Sequence, residues 1–496
     1  MATPDRVHLL SKGYSYFRIS NYFGVSCFQQ ISAEKAKDQK DQITRSTVQK
    51  SVVVISTKPF YGAIRFILDP CTEAYFNHAY FEERDILIRT FEQLTTKFNR
   101  VNEKTISDNR DSLFLGVSLK QFIRRFGRDA LTLYKLMWLE KKIIFYDFPP
   151  SEVCDNIVAV SSLLPHFLFS LSPHVVRTPK EMKEAKDFAL PLTIFDTTYL
   201  APYVSLHYFD FLQSRPSFII GSSNRLFVEG SLAADVIVTE GTVKFNDPKL
   251  EKLFKLHQRD RMFIDRIIST VKTEDELHEK FEGSDLWIRS LFNQYTLSLL
   301  SVVVKSNFES DLEPLEVFNE SWIEEWKKTK NYSVWKDKVS TEDVVQSVRP
   351  VHFEHDTKTE LDELQEAVSQ QATKVSNYLM SIYENQMNPS TQPPTDPTSQ
   401  DQSSNSSLFD FSNFNIDTTE VTSMFQKIKD NANEVLTSPR FFSTNDGETQ
   451  KIEAQTQTPQ TPQPDKSTLT IFGSTYTVPS KEAVTSLFDS FWSKKS

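Results

Sequence analysis

Residues 131–169, LTLYKLMWLEKKIIFYDFPPSEVCDNIVAVSSLLPHFLF, constrain the fold more than any other stretch of the chain. A helical apolar pattern stops at Glu140-Lys141-Lys142. A short, wholly apolar run follows at 143–146, and Pro149-Pro150 opens a second apolar segment that reaches Pro165. A strand apolar on both faces has to be covered on both faces, which places it near the middle of an open α/β layer fold. No glycine-rich loop follows it. The chain has 11 glycines in 496 residues, and neither GxxxxGKS/T nor GxGxxG occurs, so a P-loop or dinucleotide cofactor site is not expected.

Upstream, 14–19, 24–31 and 48–56 read as strands, the last closed by Lys58-Pro59. Residues 79–98 place Ile86, Ile88, Phe91, Leu94 and Phe98 at helical spacing, and 99–112 reads as a polar linker. The spacing predicts one helix over 118–139, with Ser118 as its N-cap and Phe122, Ile123, Phe126, Ala130, Leu133 and Leu136 on its buried face. Lys120, Arg124 and Arg128 stand at i, i+4 and i+8 on that helix. Such a stripe is more often a solvated face than a site for an anion or acidic partner.

Beyond the central strand, the polar segment 177–187 reads as an insertion whose removal would cost little. Strand-like runs follow at 190–206 and 217–227, and 235–245 reads as a hairpin turning at Glu240-Gly241. Residues 248–304 read as mostly helical, and Trp322, Trp326 and Trp335 are expected to pack back on the body. After about residue 341 the composition turns to Ser, Thr, Pro and Gln, which cannot offset the entropy of folding. Two apolar islands interrupt this tail, 421–435 and 480–493. In the second, Val484, Leu487, Phe488, Phe491 and Trp492 recur at helical spacing, as expected of a short amphipathic helix that docks on a membrane surface, a partner groove or the chain's own body.

Chemistry is sparse. A net charge of −10 argues against nucleic acid as a partner, because phosphate binding needs concentrated Lys and Arg. Cys27, Cys71 and Cys154 form no CxxC pair, and they read as buried, reduced thiols of a cytosolic protein. The longest apolar run, 157–171, contains Pro165 and His166 and is shorter than the roughly 20 residues of a spanning helix. Membrane contact is therefore expected to be peripheral. Gly221-Ser222-Ser223 lacks the second glycine of a nucleophile elbow, and His257-Gln258-Arg259-Asp260 matches a kinase catalytic loop only by chance. His352 and His355 are two candidate ligands without a third. No nucleophile, base and orienting group come together, so no catalytic, cofactor or metal residue is assigned.

The wording of several segments carries more. GVSCFQQI (24–31), ITRSTVQKSVVVISTKPFYG (43–62), AYFEE (79–83), LEKKIIFY (139–146), NDPKLEKLF (246–254) and DLWIRSLFNQY (285–295) occur in an order that resembles the Avl family of late-secretory-pathway proteins, of the DENN-module class. The resemblance covers about residues 20–340. It implies an α/β fold built as a DENN-like module followed by a disordered tail. Residues 1–115 would form a longin-like α/β part, truncated at its start because only about 23 residues precede GVSCFQQI. Residues 116–230 would be a central α/β domain, 231–340 a mostly helical downstream part, and 341–496 the tail.

The resemblance also implies a role in vesicle traffic between Golgi, endosomes and plasma membrane, with a Rab-type small GTPase as the candidate partner. Guanine-nucleotide exchange needs no catalytic triad, since it works by holding the nucleotide-free GTPase better than the loaded one. An adaptor without exchange activity fits the same residues. The candidates for partner contact are Lys120, Arg124 and Arg128.

Overall fold

The computed structural model describes residues 2–37, 46–99, 110–230, 232–273, 282–306, 318–339, 468–471 and 474–477. The chain divides into two units, Met1–Ser438 and Pro439–Ser496.

The first unit opens with a three-stranded antiparallel sheet, β1 (Lys12–Ile19), β2 (Tyr22–Ser32) and β3 (Thr47–Ser56), in that spatial order. Tyr16 lies opposite Val25, which lies opposite Val54, so one face presents a continuous apolar row. Helix α1 (Tyr61–His78) packs on that row through Tyr61, Ile64 and Leu68, with Tyr61 stacked 4.9 Å from Tyr16. The helix expected over 79–98 begins later, as α2 (Asp85–Asn99). Ala79 turns left-handed (φ 60°), and Phe81 then folds into a small cluster with Tyr75 and Phe76. Part of the expected linker is helical, as α3 (Arg110–Leu115).

The single helix expected over 118–139 is two. Gly127, at φ 55° and ψ −126°, separates α4 (Leu119–Phe126) from α5 (Asp129–Leu136). Ser118 caps α4 by accepting the Gln121 N–H at 3.2 Å. The central strand follows as β4 (Lys142–Tyr146) and then α6 (Pro150–Ser161), whose Val153, Cys154, Ile157 and Val158 are buried. The apolar run 157–171 is likewise not one helix. It breaks where His166 takes φ 60°, and α7 (Phe167–Leu171) resumes beyond.

The segment 177–187 is a docked helix and not a dispensable insertion. It forms α8 (Pro179–Phe188), closed at its start by a reciprocal cap: Thr178 N–H donates to Glu181 at 2.8 Å and Glu181 N–H to Thr178 Oγ1 at 3.1 Å. On its inner face Glu184 meets His166 Nε2 at 3.0 Å and accepts from Asn293 Nδ2 at 3.1 Å. Its polar sequence hid these inward contacts.

The strands expected over 190–206 and 217–227 contract, because 194–197 winds into α9 (Ile194–Thr197). What remains is β5 (Tyr199–Ala201), then α10 (Phe209–Gln213), β6 (Phe218–Ser222) and α11 (Leu226–Glu229). The hairpin at 240–241 joins β7 (Val236–Thr239) to β8 (Thr242–Phe245). The five-stranded sheet runs β5-β6-β4-β7-β8, parallel except for β8. Ile143, Ile144 and Phe145 of β4 are all buried, as a middle strand requires. At Gly221 of β6 a Cβ would lie 2.1 Å from the Pro202 carbonyl oxygen, so the neighbouring chain admits only glycine there.

The downstream part is helical: α12 (Pro248–Leu253), α13 (Gln258–Thr273), α14 (Asp285–Ser306), α15 (Glu320–Trp326) and α16 (Lys330–Lys338). Trp322, Trp326 and Trp335 are fully buried as anticipated, with Trp326 5.0 Å from Trp138. Among the described residues no helix is long and apolar enough to cross a membrane. The second unit contributes a two-stranded antiparallel hairpin, β9 (Thr468–Ile471) with β10 (Ser474–Thr477), which no sequence signal announced. The helical islands at 421–435 and 480–493, and the remainder of the expected disordered tail, lie outside the described residues, as do His352 and His355.

Candidate partner-binding surface

In an open α/β sheet ligands settle outside the carboxyl ends of the strands, beside the strand where the chain reverses its order. Here that strand is β4, between β6 and β7, and the chain's own residues fill the place. Asp147, just past β4, is clamped by Arg125 in a close ion pair and also accepts the Glu240 N–H at 3.3 Å. On the other side lies Asp5. Its N–H donates to Tyr203 Oη at 2.8 Å, its carbonyl accepts from Ser223 Oγ at 2.9 Å, and its carboxylate accepts from Asn224 Nδ2 at 3.3 Å. Arg6 stacks 4.6 Å over the Phe148 ring. The Ser222 hydroxyl is tied to the Val204 carbonyl. Among the described residues no cluster of His, Cys, Asp and Glu could hold a metal ion.

Of the basic stripe only Lys120 is buried, while Arg124 and Arg128 stay exposed, and each contacts a neighbouring helix. Lys120 is buried, and its N–H donates to Asp285 Oδ1 at 3.0 Å. Arg124 donates to the Val271 carbonyl at 3.1 Å. Arg128, beyond the Gly127 break and so off the axis of α4, forks onto both oxygens of Asp265 at 2.7 Å. That fork holds the Asp265 carboxyl below its usual range. The three residues thus fasten α4 and the turn after it to α13 and α14. Asp260, within His257-Gln258-Arg259-Asp260, is also structural: it is buried, paired with Lys135 and accepting from Tyr295 Oη at 2.8 Å. Val484, Leu487, Phe488, Phe491 and Trp492 lie outside the described residues.

A different surface stays open, where β1 ends beside the start of β5. Among the described residues this face of the central sheet is covered by α10, α11, Leu232 and the single turn Leu206–Tyr208. The thin cover leaves Tyr199, Tyr208 and Phe211 half-buried and Leu206 37% exposed. Tyr199 meets the Phe211 ring edge-on at 5.1 Å, and Tyr208 does so at 5.8 Å. The Arg215 guanidinium lies 4.3 Å over Phe211 and 6.0 Å from the Tyr199 ring centre. From the other sheet comes Arg18, whose Nε donates to the Ser20 carbonyl at 2.9 Å. Burial raises the Tyr199 hydroxyl pKa, and the charges of Arg18 and Arg215 oppose that rise. Sequence reasoning missed this surface because its two arginines are about 200 positions apart and share no motif.

These features define a class first: a mixed α/β protein whose sheet crevice is filled from within and which carries a thinly covered face of arginine, tyrosine and phenylalanine. The family model described as Transport protein Avl9 matches residues 1–303, more than half of the chain, and the chain belongs to that family. It is 29% identical over 395 residues to the late secretory pathway protein avl9 of Schizosaccharomyces pombe, covering 71% of this chain and 82% of that one. To the late secretory pathway protein AVL9 of Saccharomyces cerevisiae it is 28% identical over 408 residues, 68% of this chain and 53% of the other. A more distant similarity, 22% over 272 residues, links half of the chain to half of DENN domain-containing protein 11 of Danio rerio. The family resemblance carried by segments such as GVSCFQQI and LEKKIIFY is thus a membership.

Proposed function

We propose that this protein acts in vesicle traffic of the late secretory pathway, as a DENN-like module that engages a Rab-type small GTPase and promotes exchange of its nucleotide. Membership of the Avl9 family carries the reading, together with the similarity to a DENN-domain protein over half of the chain. In this reading residues 1–115 are the longin-like part, 116–230 the central DENN domain and 231–340 the helical downstream part. The protein works in the cytoplasm, peripherally on Golgi, endosomal or vesicle membranes, with the apolar segment 480–493 as an attachment. The GTPase brings the nucleotide, so the module needs no phosphate loop of its own after β4. Exchange then requires only that it bind the empty GTPase more tightly than the loaded one.

The test is release of labelled GDP from a panel of Rab proteins on addition of the full chain, beside pull-down of their nucleotide-free forms. Acceleration for at least one member is expected. Binding without acceleration would leave a trafficking adaptor, and neither binding nor acceleration for any member would overturn GTPase engagement.

A further inference from the structure

We propose that the face formed by Arg18, Tyr199, Tyr208, Phe211 and Arg215 is the contact surface for the GTPase, and that it takes an acidic patch of that partner. The inference rests on the function proposed above and adds a place and a chemistry to it. Several arginines of the fold hold carboxylates. Arg125, Arg128 and Arg225 each hold a carboxylate within 2.7 Å. Arg18 and Arg215 hold none among the described residues. Their contacts are a carbonyl and ring faces. Asp210 on α10 is the acid nearest in sequence, and two guanidiniums leave the patch with an excess of positive charge.

A guanidinium laid flat on an aromatic ring keeps its N–H edge pointing outward in a fixed plane, the form in which it grips a carboxylate with two bonds. Tyrosine and arginine are also the residue types that dominate protein interfaces energetically, because they bring large area with few torsions to freeze. The half-buried rings of Tyr199, Tyr208 and Phe211 supply that area, and Leu206 extends it. The positive charge of Arg18 and Arg215 would steer an acidic protein in.

The experiment measures binding of the full chain to the nucleotide-free Rab identified in the panel. Arg18→Glu with Arg215→Glu should weaken binding about tenfold or more. Lys249→Glu with Lys252→Glu, an equal charge change on exposed positions of α12, should leave it unaltered. Raising salt should weaken the wild type more than the Arg18/Arg215 variant, bringing the two together. If the double variant fails to fold, Arg215→Glu alone serves, since Arg215 is exposed and its side chain, among the described residues, lies against ring faces, with about a threefold loss expected. Wild-type binding that the arginine variants and salt leave unchanged would overturn this surface while sparing the proposed function. A wild type that binds no nucleotide-free Rab would overturn both.

Discussion

The antiparallel sheet and the downstream helices are both fastened to the body around β4, by opposite means. At the sheet, Tyr14 donates to Asp155 of α6 at 2.7 Å, while Arg65 of α1 lies 3.7 Å from the same carboxylate and 4.3 Å over the Tyr14 ring. The Arg65 and Asp155 side chains keep 22% and 33% of their surface in water. At the helices, Lys135 and Asp260 pair at 2% and 1% exposure. Tyr295 completes the carboxylate's partners, and Trp322 lies 5.5 Å from the ammonium. The first joint is wet along one side, although the facing Arg65 Nη1 and Asp155 Oδ1 atoms are themselves buried. The second is dry, so each of its charges depends wholly on the other.

The sharpest way to break that comparison is to remove one charge of the dry pair. Asp260→Ala strands the Lys135 ammonium and should cost about 3–5 kcal/mol in urea unfolding. Lys135→Met combined with Asp260→Leu should recover most of that, because apolar groups of similar volume replace a buried pair with little penalty. Equal losses for the single and double variants would mean that water reaches the joint.

A second probe addresses the backbone beside the wet joint. At Gly62 an added Cβ would sit 2.4 Å from the Gly116 Cα, a clash with backbone that no rotamer relieves. Gly62→Ala should therefore lose about 1–3 kcal/mol by the same measurement. A loss below about 0.5 kcal/mol would show that α1 shifts freely on the body.

The smallest effects come from pH, and they carry opposite signs at Asp155 of the first joint and at Glu325, which ties α15 to Lys141. Burial raises the Asp155 pKa above 3.8, against the pull of Arg65 and the Tyr14 hydrogen bond. The folded state then holds that proton more tightly than the unfolded one. Stability from this group is full below about pH 4 and is lost as pH rises through the folded pKa. Asp155→Asn imitates the protonated form, so it should gain on wild type at neutral pH and match it in acid. Glu325 is the reverse: hydrogen bonds from Lys141 and Lys328 lower it below 4.5. Its contribution is present above that value and is lost as pH falls through the folded pKa. Glu325→Gln should therefore trail wild type at neutral pH and converge with it below about pH 4. Each gap should be no more than about 1 kcal/mol after solvent screening, read from urea midpoints between about pH 3 and 7. Two gaps of one sign would refute the contrast.

Where the sequence spoke through periodicity and end signals it was readable. The apolar run 143–146 became the middle strand, Ser118 the cap of α4, Glu240-Gly241 the hairpin turn, and the three tryptophans a buried layer. Features decided by distant contacts were not readable. A single glycine at 127 is tolerated inside many helices, and only the packing of α5 turns it into a break. Pro70 masked α1, which carries that residue within its length. The charges on α8 concealed Glu184, the one acid that points inward. The arginine–tyrosine face draws on two sheets, so no local spacing could announce it.

The dry joint also sets a timetable. Asn331 closes over Trp138 by donating from Nδ2 to its carbonyl at 2.9 Å, 193 positions downstream. At a ribosome's pace of about 5–20 residues per second, roughly 10–40 s separate the synthesis of the two. The Lys135 ammonium lacks its carboxylate until Asp260 of α13 is made, and Trp138 lacks Trp322 and Trp326 until α15 follows. A nascent chain halted between 140 and 320 should accordingly be a strong chaperone client, and one released after about 340 should not.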